Sequence, residues 1–226
     1  MTAGPTARLL ALRRLLVPDS LSQPDEFSMA DFQAIRRIVM TLLFVALAGL
    51  LAFGGPLLGL SAQQGLRIGG VALIAAGIVG RLWSIVHIGG RKSLEVVQTG
   101  PYSITRNPLY VSSTVAAAGI GAQAGSVTAA LLAGLLCALA FQFVIRFEEN
   151  YLIGELGEAY RDYMHRVPRF WPNPSLYRDP DTLCVDPRIL RRTLRDGVLL
   201  LAAIPFFGLI GAAQQAGFVP VLFRFW

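Results

Sequence analysis

Residues 107–145, NPLYVSSTVAAAGIGAQAGSVTAALLAGLLCALAFQFVI, run for 39 positions without a charged side chain. About 20 apolar residues carry one helix across a bilayer, so this segment is nearly two spans long and must fold back on itself. Its middle, Gly121-Ala-Gln-Ala-Gly-Ser126, is the natural turn. Pro108 suits a first helical turn, with Asn107 as its cap. Alanine and glycine from Val115 to Ala133 let two helices approach closely. The pattern predicts a tight helical hairpin.

Three more uncharged runs flank it: Ile38–Leu60, Ile68–Gly80 and Gly197–Phe223, of 23, 13 and 27 residues. The first and last each suffice for one span. The second reaches that length only by taking in Arg81 and continuing to Ile88. The expectation is an all-α integral membrane protein with about five transmembrane helices. Composition agrees, with 54% apolar and 15% charged residues, where soluble domains carry roughly a quarter charged. A disordered chain, a disulfide scaffold and most water-soluble enzymes are excluded. Cys137 lies in an apolar run and Cys184 in a polar one, with no CxxC spacing, so no metal site or disulfide framework is expected. Ala46-Leu47-Ala48 resembles a signal-peptide cleavage site, but the apolar run continues to Leu60. Ile38–Leu60 is therefore expected to be a retained span.

Nineteen arginines and one lysine against fourteen acids give +6. With the N-terminus in the cytoplasm and five alternating spans, seventeen of the twenty basic residues fall on the cytoplasmic side. They lie in the N-terminal arm, in the loop carrying Arg91, Lys92 and Arg106, and in the stretch from Arg146 to Arg195. Arg67 and Arg224 fall on the other side, and Arg81 within the membrane. All fourteen acids share the cytoplasmic side. This follows the positive-inside rule, and such a basic face suits anionic membrane lipids. No motif supports nucleic-acid binding.

Leu9, Leu12 and Leu16 oppose Arg8, Arg13 and Arg14, as in an interfacial amphipathic helix. Ser28 and Asp31 can cap the first span, Pro56 after Gly54-Gly55 should fray its outer end, and Ser61–Gln64 is the expected external turn. The fourth span should continue into the cytoplasm. Glu149, Leu152, Ile153, Leu156, Tyr160 and Tyr163 share one face, Glu155, Glu158, Arg161 and Asp162 the other, and the helix should end before Pro168. Residues 168–187 hold five prolines and form an irregular connector. The segments are 1–27, an interfacial arm; 28–90, the first two spans; 91–172, a core with hairpin and cytoplasmic helix; and 173–226, connector and last span.

Three features point to chemistry. The loop Gln98–Tyr110 clusters Tyr102, Arg106, Asn107 and Tyr110 at a helix N-terminus, where anions are favoured; the same residues suit an interfacial aromatic belt. Glu148 and Glu149 are adjacent carboxylates at the membrane boundary. They hold a cationic or hydroxyl-bearing ligand, or else mark the boundary with Arg146 and Arg166 as counter-ions. Arg81 lies about 10 Å inside the membrane by helical rise; it snorkels, or it pairs with a twin acid or a ligand carboxylate.

Gly100-Pro-Tyr-(x)3-Arg106-Asn-Pro-Leu-Tyr110, the apolar hairpin, Glu148-Glu149-x-x-Leu152, Gly157-x-x-Tyr160-x-x-Tyr163 and Arg166-Val-Pro-Arg169 together resemble the isoprenylcysteine carboxyl methyltransferase family. Its superfamily includes membrane phospholipid N-methyltransferases. The resemblance covers residues 80–172. It implies S-adenosyl-L-methionine as cofactor, with contacts at Leu94, Glu95, Val96, Val97, Tyr102, Asn107, Pro108, Leu109, Tyr110 and Glu148. Arg106 or the adjoining helix N-terminus suits the cofactor carboxylate, and His87 stands near the loop's start. Glu149, Arg81 and Arg146 are the candidate catalytic residues. Asn107 occupies the family's usual His position, which removes a group that titrates near neutrality. Val144 stands where prenylcysteine-specific members carry an Arg; Arg146 follows about 200° round the helix. The implied activity is methylation of a lipophilic acceptor, nominally an isoprenylcysteine-like carboxylate, alternatively a lipid amine. A non-catalytic scaffold retaining the fold is the other class. Arginine-rich, lysine-poor usage suggests a bacterial inner membrane, with the site cytoplasmic.

Overall fold

The computed structural model describes residues 41–42, 44–89, 95–180, 182–183 and 185–225. The chain divides into the units Met1–Leu42 and Leu43–Trp226, and the fold below is that of the second. The expected interfacial arm, the Ser28/Asp31 cap, Leu94 and Cys184 lie outside the described residues.

Residues 44–52 are helical and end before the short strand β1, Gly54–Pro56. The expected fraying at Gly54-Gly55-Pro56 is therefore a full change of element. Strand β1 pairs in parallel with β2, Phe223–Phe225, in the register Gly54↔Phe223, Gly55↔Arg224, Pro56↔Phe225. A Cβ on Gly54 would strike the Phe225 ring, so glycine permits this pairing.

Helix α1, Leu60–Ile88, follows at once. Ser61–Gln64, expected as a turn, forms its first turn: Gln63 N already donates to Gly59 O (3.0 Å). The segment has three polar residues and no Pro, and can join the helix while its side chains meet solvent. Helix α2, Pro101–Ile104, precedes α3, Pro108–Ala122. Helix α4, Val127–Arg166, is 40 residues long, and a 3-10 turn, Pro174–Leu176, interrupts the connector. Helices α5, Pro187–Leu200, and α6, Ala203–Gln215, follow one another closely.

The hairpin is present, with its turn at Gln123–Gly125 and Ser126 Oγ capping α4 by accepting from Ala129 N (3.1 Å). Its first arm is short: α3 has 15 residues, about 22 Å, because Pro108 fixes its start and Gly125, with φ 74°, closes the turn. Among the described residues three helical stretches are long and apolar enough to cross a membrane: Leu60–Ile88, Val127–Arg166 and Pro187–Gln215. The last begins ten residues before the expected Gly197. Asp186 caps it by accepting from Arg188 N (2.8 Å), and four arginines in α5 mix with apolar residues so that the uncharged stretch marks only its second half. It stops at Gln215, before Gly217 at φ 79°, and the expected remainder to Phe223 leads into β2.

Packing is closest where side chains are smallest. A Cβ on Gly77 would lie 2.6 Å from Ala116 Cβ, and one on Gly119 would lie 2.6 Å from Gly70 O, so α1 and α3 meet nearly backbone to backbone. Gly134 of α4 faces Ala118 of α3, as the hairpin reading requires. Ile74, Ile120, Ala129, Leu51 and Phe207 form one buried cluster. Outside, Leu131, Leu135, Leu139 and Phe143 of α4 are 50–74% exposed at four-residue spacing. An exposed apolar stripe of this kind is a lipid-facing surface.

Candidate functional site

Past Ile145, α4 carries the twin acids out of the apolar stretch. Both are buried, Glu148 to 5% and Glu149 to 3% exposure. Burying a carboxylate is unfavourable without partners. For Glu149 they are explicit. Arg106 donates from Nε to Glu149 Oε1 (2.9 Å) and places Nη2 2.8 Å from the same oxygen, while Arg169 Nη2 lies 2.7 Å from Oε2. Arg106 also donates from Nη1 to the carbonyls of Met164 (2.6 Å) and Val167 (2.9 Å). Its guanidinium thereby joins the loop before α3, the end of α4 and the connector. The counter-ions expected from sequence were Arg146 and Arg166. Instead Arg146 is exposed and Arg166 donates to Gln98 Oε1 (2.8 Å).

The connector is stitched along the same loop. Arg106 N donates to Pro168 O (2.9 Å), Asn173 N to Ile104 O (2.8 Å) and Gly100 N to Arg178 O (2.8 Å). Thr105 Oγ1 donates to Phe170 O (3.1 Å). Asn107 begins α3 without a side-chain cap; its Nδ2 donates to Arg169 O (2.9 Å). The expected cap residue thus holds the connector instead of the helix start.

Tyr102 is buried in α2, and its main-chain oxygen accepts from Tyr163 OH (2.7 Å). Its own hydroxyl is buried without a hydrogen-bond partner. Desolvation first, then the Glu148 carboxylate, pushes the phenol well above its ordinary pKa. Tyr102 is therefore a neutral hydroxyl within the field of the buried Glu148 carboxylate. Tyr110 stacks on Phe141 of α4, ring centroids 4.6 Å apart. Val96 packs on Tyr160, Tyr163 and Val167, while Val97 is half-buried and Glu95 exposed. Pro108 is buried and Leu109 half-buried in the first turn of α3.

His87 is buried near the C-terminus of α1. Its Nδ1 lies 2.9 Å from Trp83 O, its ring is edge-on to Trp83, and Gly100 packs directly on it. Arg81 reaches from α1 to α3, donating from Nη1 to Ser113 Oγ (2.6 Å). The structure thus gathers Tyr102, Arg106, Asn107, Glu148 and Glu149 at one end of the helices. Sequence reasoning missed Arg169, Thr105 and the break at Gly157 (φ 57°, ψ −133°), which redirects α4 before Tyr160. The glycine itself was the available signal, since its conformation there lies outside the range of other residues.

Residues 66–159 match the family described as phospholipid methyltransferase. The nickel-cobalt-cadmium resistance protein NccN of Alcaligenes xylosoxydans xylosoxydans is 38% identical over 67% of this chain and 70% of its own length. The cobalt-zinc-cadmium resistance protein CzcN of Cupriavidus metallidurans is 36% identical over 58% of this chain and 61% of its own. No solved structure matches. Among the described residues, no group of three or more His, Cys, Asp or Glu is placed to hold a metal ion.

Proposed function

This chain belongs to the phospholipid methyltransferase family of membrane proteins, and we propose that it transfers a methyl group from S-adenosyl-L-methionine to a lipophilic acceptor. The observation that carries the proposal is the meeting of the Tyr102–Tyr110 loop with the twin acids through the buried Arg106–Glu149 pair and the half-exposed Arg169. The residues fit the cofactor: a buried phenol with no hydrogen-bond partner, in the field of the buried Glu148 carboxylate, suits a ligand rich in hydroxyl and ammonium groups.

When bound, the cofactor supplies a methyl group already activated on a sulfonium, so the protein's part is to position and to exclude water. Glu148 holds the ammonium or the ribose hydroxyls. Tyr102, kept protonated, donates a hydrogen bond, and Tyr110 offers an aromatic face to a cation. The start of α3, with Asn107, receives the carboxylate. Glu149 Oε1 accepts from Arg106, Oε2 faces Arg169 Nη2 at 2.7 Å without a hydrogen bond, and Arg106 donates from Nε and Nη1 to three protein oxygens. Glu149 and Arg106 act as positioning residues that fix the loop against α4. The acceptor enters from the bilayer, beside the exposed Phe143 and Phe147, with its head at the cytoplasmic face of a bacterial inner membrane.

A carboxylate acceptor needs no base, whereas an amine must first shed a proton. The isoprenylcysteine-like and lipid-amine readings therefore differ in product. Membranes containing the chain, incubated with methyl-labelled cofactor, should yield labelled lipid extract. Base releases methanol from a methyl ester and leaves a methylated amine intact. Label equal to that of membranes carrying Glu148→Gln contradicts the proposal. The relatives' names attach metal resistance to those proteins, so growth of the host with nickel, cobalt or cadmium is the matching cellular readout.

A further inference from the structure

A cavity of about 290 Å³ lies at the opposite end of α1 from His87, bounded by β1, the first turns of α1, α6 and β2. Twenty residues of helix separate Arg67 from His87, about 30 Å by rise, which matches the thickness of the hydrocarbon core. The lining includes Arg67 and Arg224 and no acidic side chain. These are the two arginines that fall on the far side of the membrane when the other basic residues are placed by the positive-inside pattern.

The two are held differently, Arg67 partly buried and Arg224 exposed at the rim. Arg67 Nε is buried and has no hydrogen-bond partner. Gly211 of α6 leaves room beside it, since a Cβ there would already lie 3.5 Å from Arg67 Nη2. Arg224 is brought to the cavity by its register with Gly55. Two of the three glutamines of the wall donate to main-chain oxygens: Gln63 Nε2 to Leu58 O (2.7 Å), and Gln214 Nε2 to Ala52 O (2.9 Å) and Gly54 O (3.1 Å). Gln214 ties α6 to β1, and none of the three adds charge. Phe207 and Ile210 complete an apolar side.

Two cations in one concavity repel, and a desolvated N–H without an acceptor is unfavourable. An anion between them relieves both. A phosphate presents several oxygens to guanidinium forks, the geometry arginine matches best. We propose that this cavity is an oxyanion site, in which Arg67 and Arg224 hold a phosphate group. The phosphate is that of an anionic lipid headgroup or a free anion, and the site is independent of methyl transfer.

The test uses the full chain, purified in detergent and stripped of lipid. In one arm inorganic phosphate is titrated by calorimetry; in the other, retention of phosphatidylglycerol is followed by native mass spectrometry. Saturable binding is expected in at least one arm, weakened about tenfold or more by Arg67→Gln and by Arg224→Gln, and less by Arg67→Lys. Saturation by inorganic phosphate assigns a soluble anion. Retention of the lipid without a response to phosphate assigns the headgroup. Arg224 is exposed, so Arg224→Gln keeps the test open should Arg67→Gln fail to fold. Binding in neither arm, or equal binding by all variants, overturns the proposal.

Discussion

Replacing Glu149 with alanine should lower the melting temperature of the purified protein by roughly 6–20 °C, from a loss of about 3–5 kcal/mol. The side chain of Arg106 is only 7% exposed and places Nε and Nη2 on Glu149 Oε1. Removing the carboxylate leaves that guanidinium buried with two carbonyls and no counter-ion. Arg169 contributes less to the loss because its side chain is 38% exposed and water can take the carboxylate's place. Glu149→Gln keeps the shape and one acceptor oxygen and should fall between. The loop and the connector both hang on Arg106, so cofactor binding should weaken along with stability. A change of less than about 2 °C would mean that the cluster contributes little to the fold.

Gly100→Ala should abolish methyl transfer, with a fall of about 100-fold or more in rate, for two reasons that add. The backbone at φ 58°, ψ −134° is a region that residues with a Cβ avoid, at about 1–3 kcal/mol. The new methyl would also enter the ring of His87, which cannot retreat because Trp83 holds it by a carbonyl and an edge-on ring. Relief requires moving the loop, breaking Gly100 N to Arg178 O and Ser103 Oγ to Gly100 O (2.6 Å). That displaces Tyr102, which follows two residues on. Gly154→Ala is the control. Nothing lies within 4 Å of the added atom, and a helical Ala for Gly stabilises by about 0.4–1 kcal/mol. Activity of Gly100→Ala near that of Gly154→Ala would show that the loop geometry is not needed.

The features legible in the sequence are those encoded locally. An uncharged run of 39 residues with glycines at its centre admits little besides a hairpin, and the face shared by Tyr160 and Tyr163 announced the extension of α4. The loop and the twin acids could be brought to the same end of the helices by counting spans. What could not be counted was which arginine meets which acid. Arg106 and Glu149 are 43 positions apart, and only the returning connector decides that Arg169, not Arg166, completes the cluster. The β1–β2 pairing joins residues from opposite ends of the described chain and depends on Gly54 lying under a particular phenylalanine. The α1–α3 seam had a signal in Gly70 and Gly77, spaced by seven with Gly80 a turn further on. Glycine is common in membrane helices, so spacing alone did not name the partner. Conversely, the mostly polar Ser61–Gln64 looked like a turn because polarity reports solvent, and helix ends meet solvent too.

The most direct measurement is a calorimetric titration of the detergent-purified chain with S-adenosylhomocysteine, alongside Glu148→Gln. A saturable heat with micromolar affinity is expected, weakened about tenfold or more in the variant, as for a lost charge-assisted hydrogen bond. No heat from a chain that is folded by circular dichroism, or a titration unchanged by Glu148→Gln, contradicts a nucleoside pocket shared by the tyrosine loop and the twin acids.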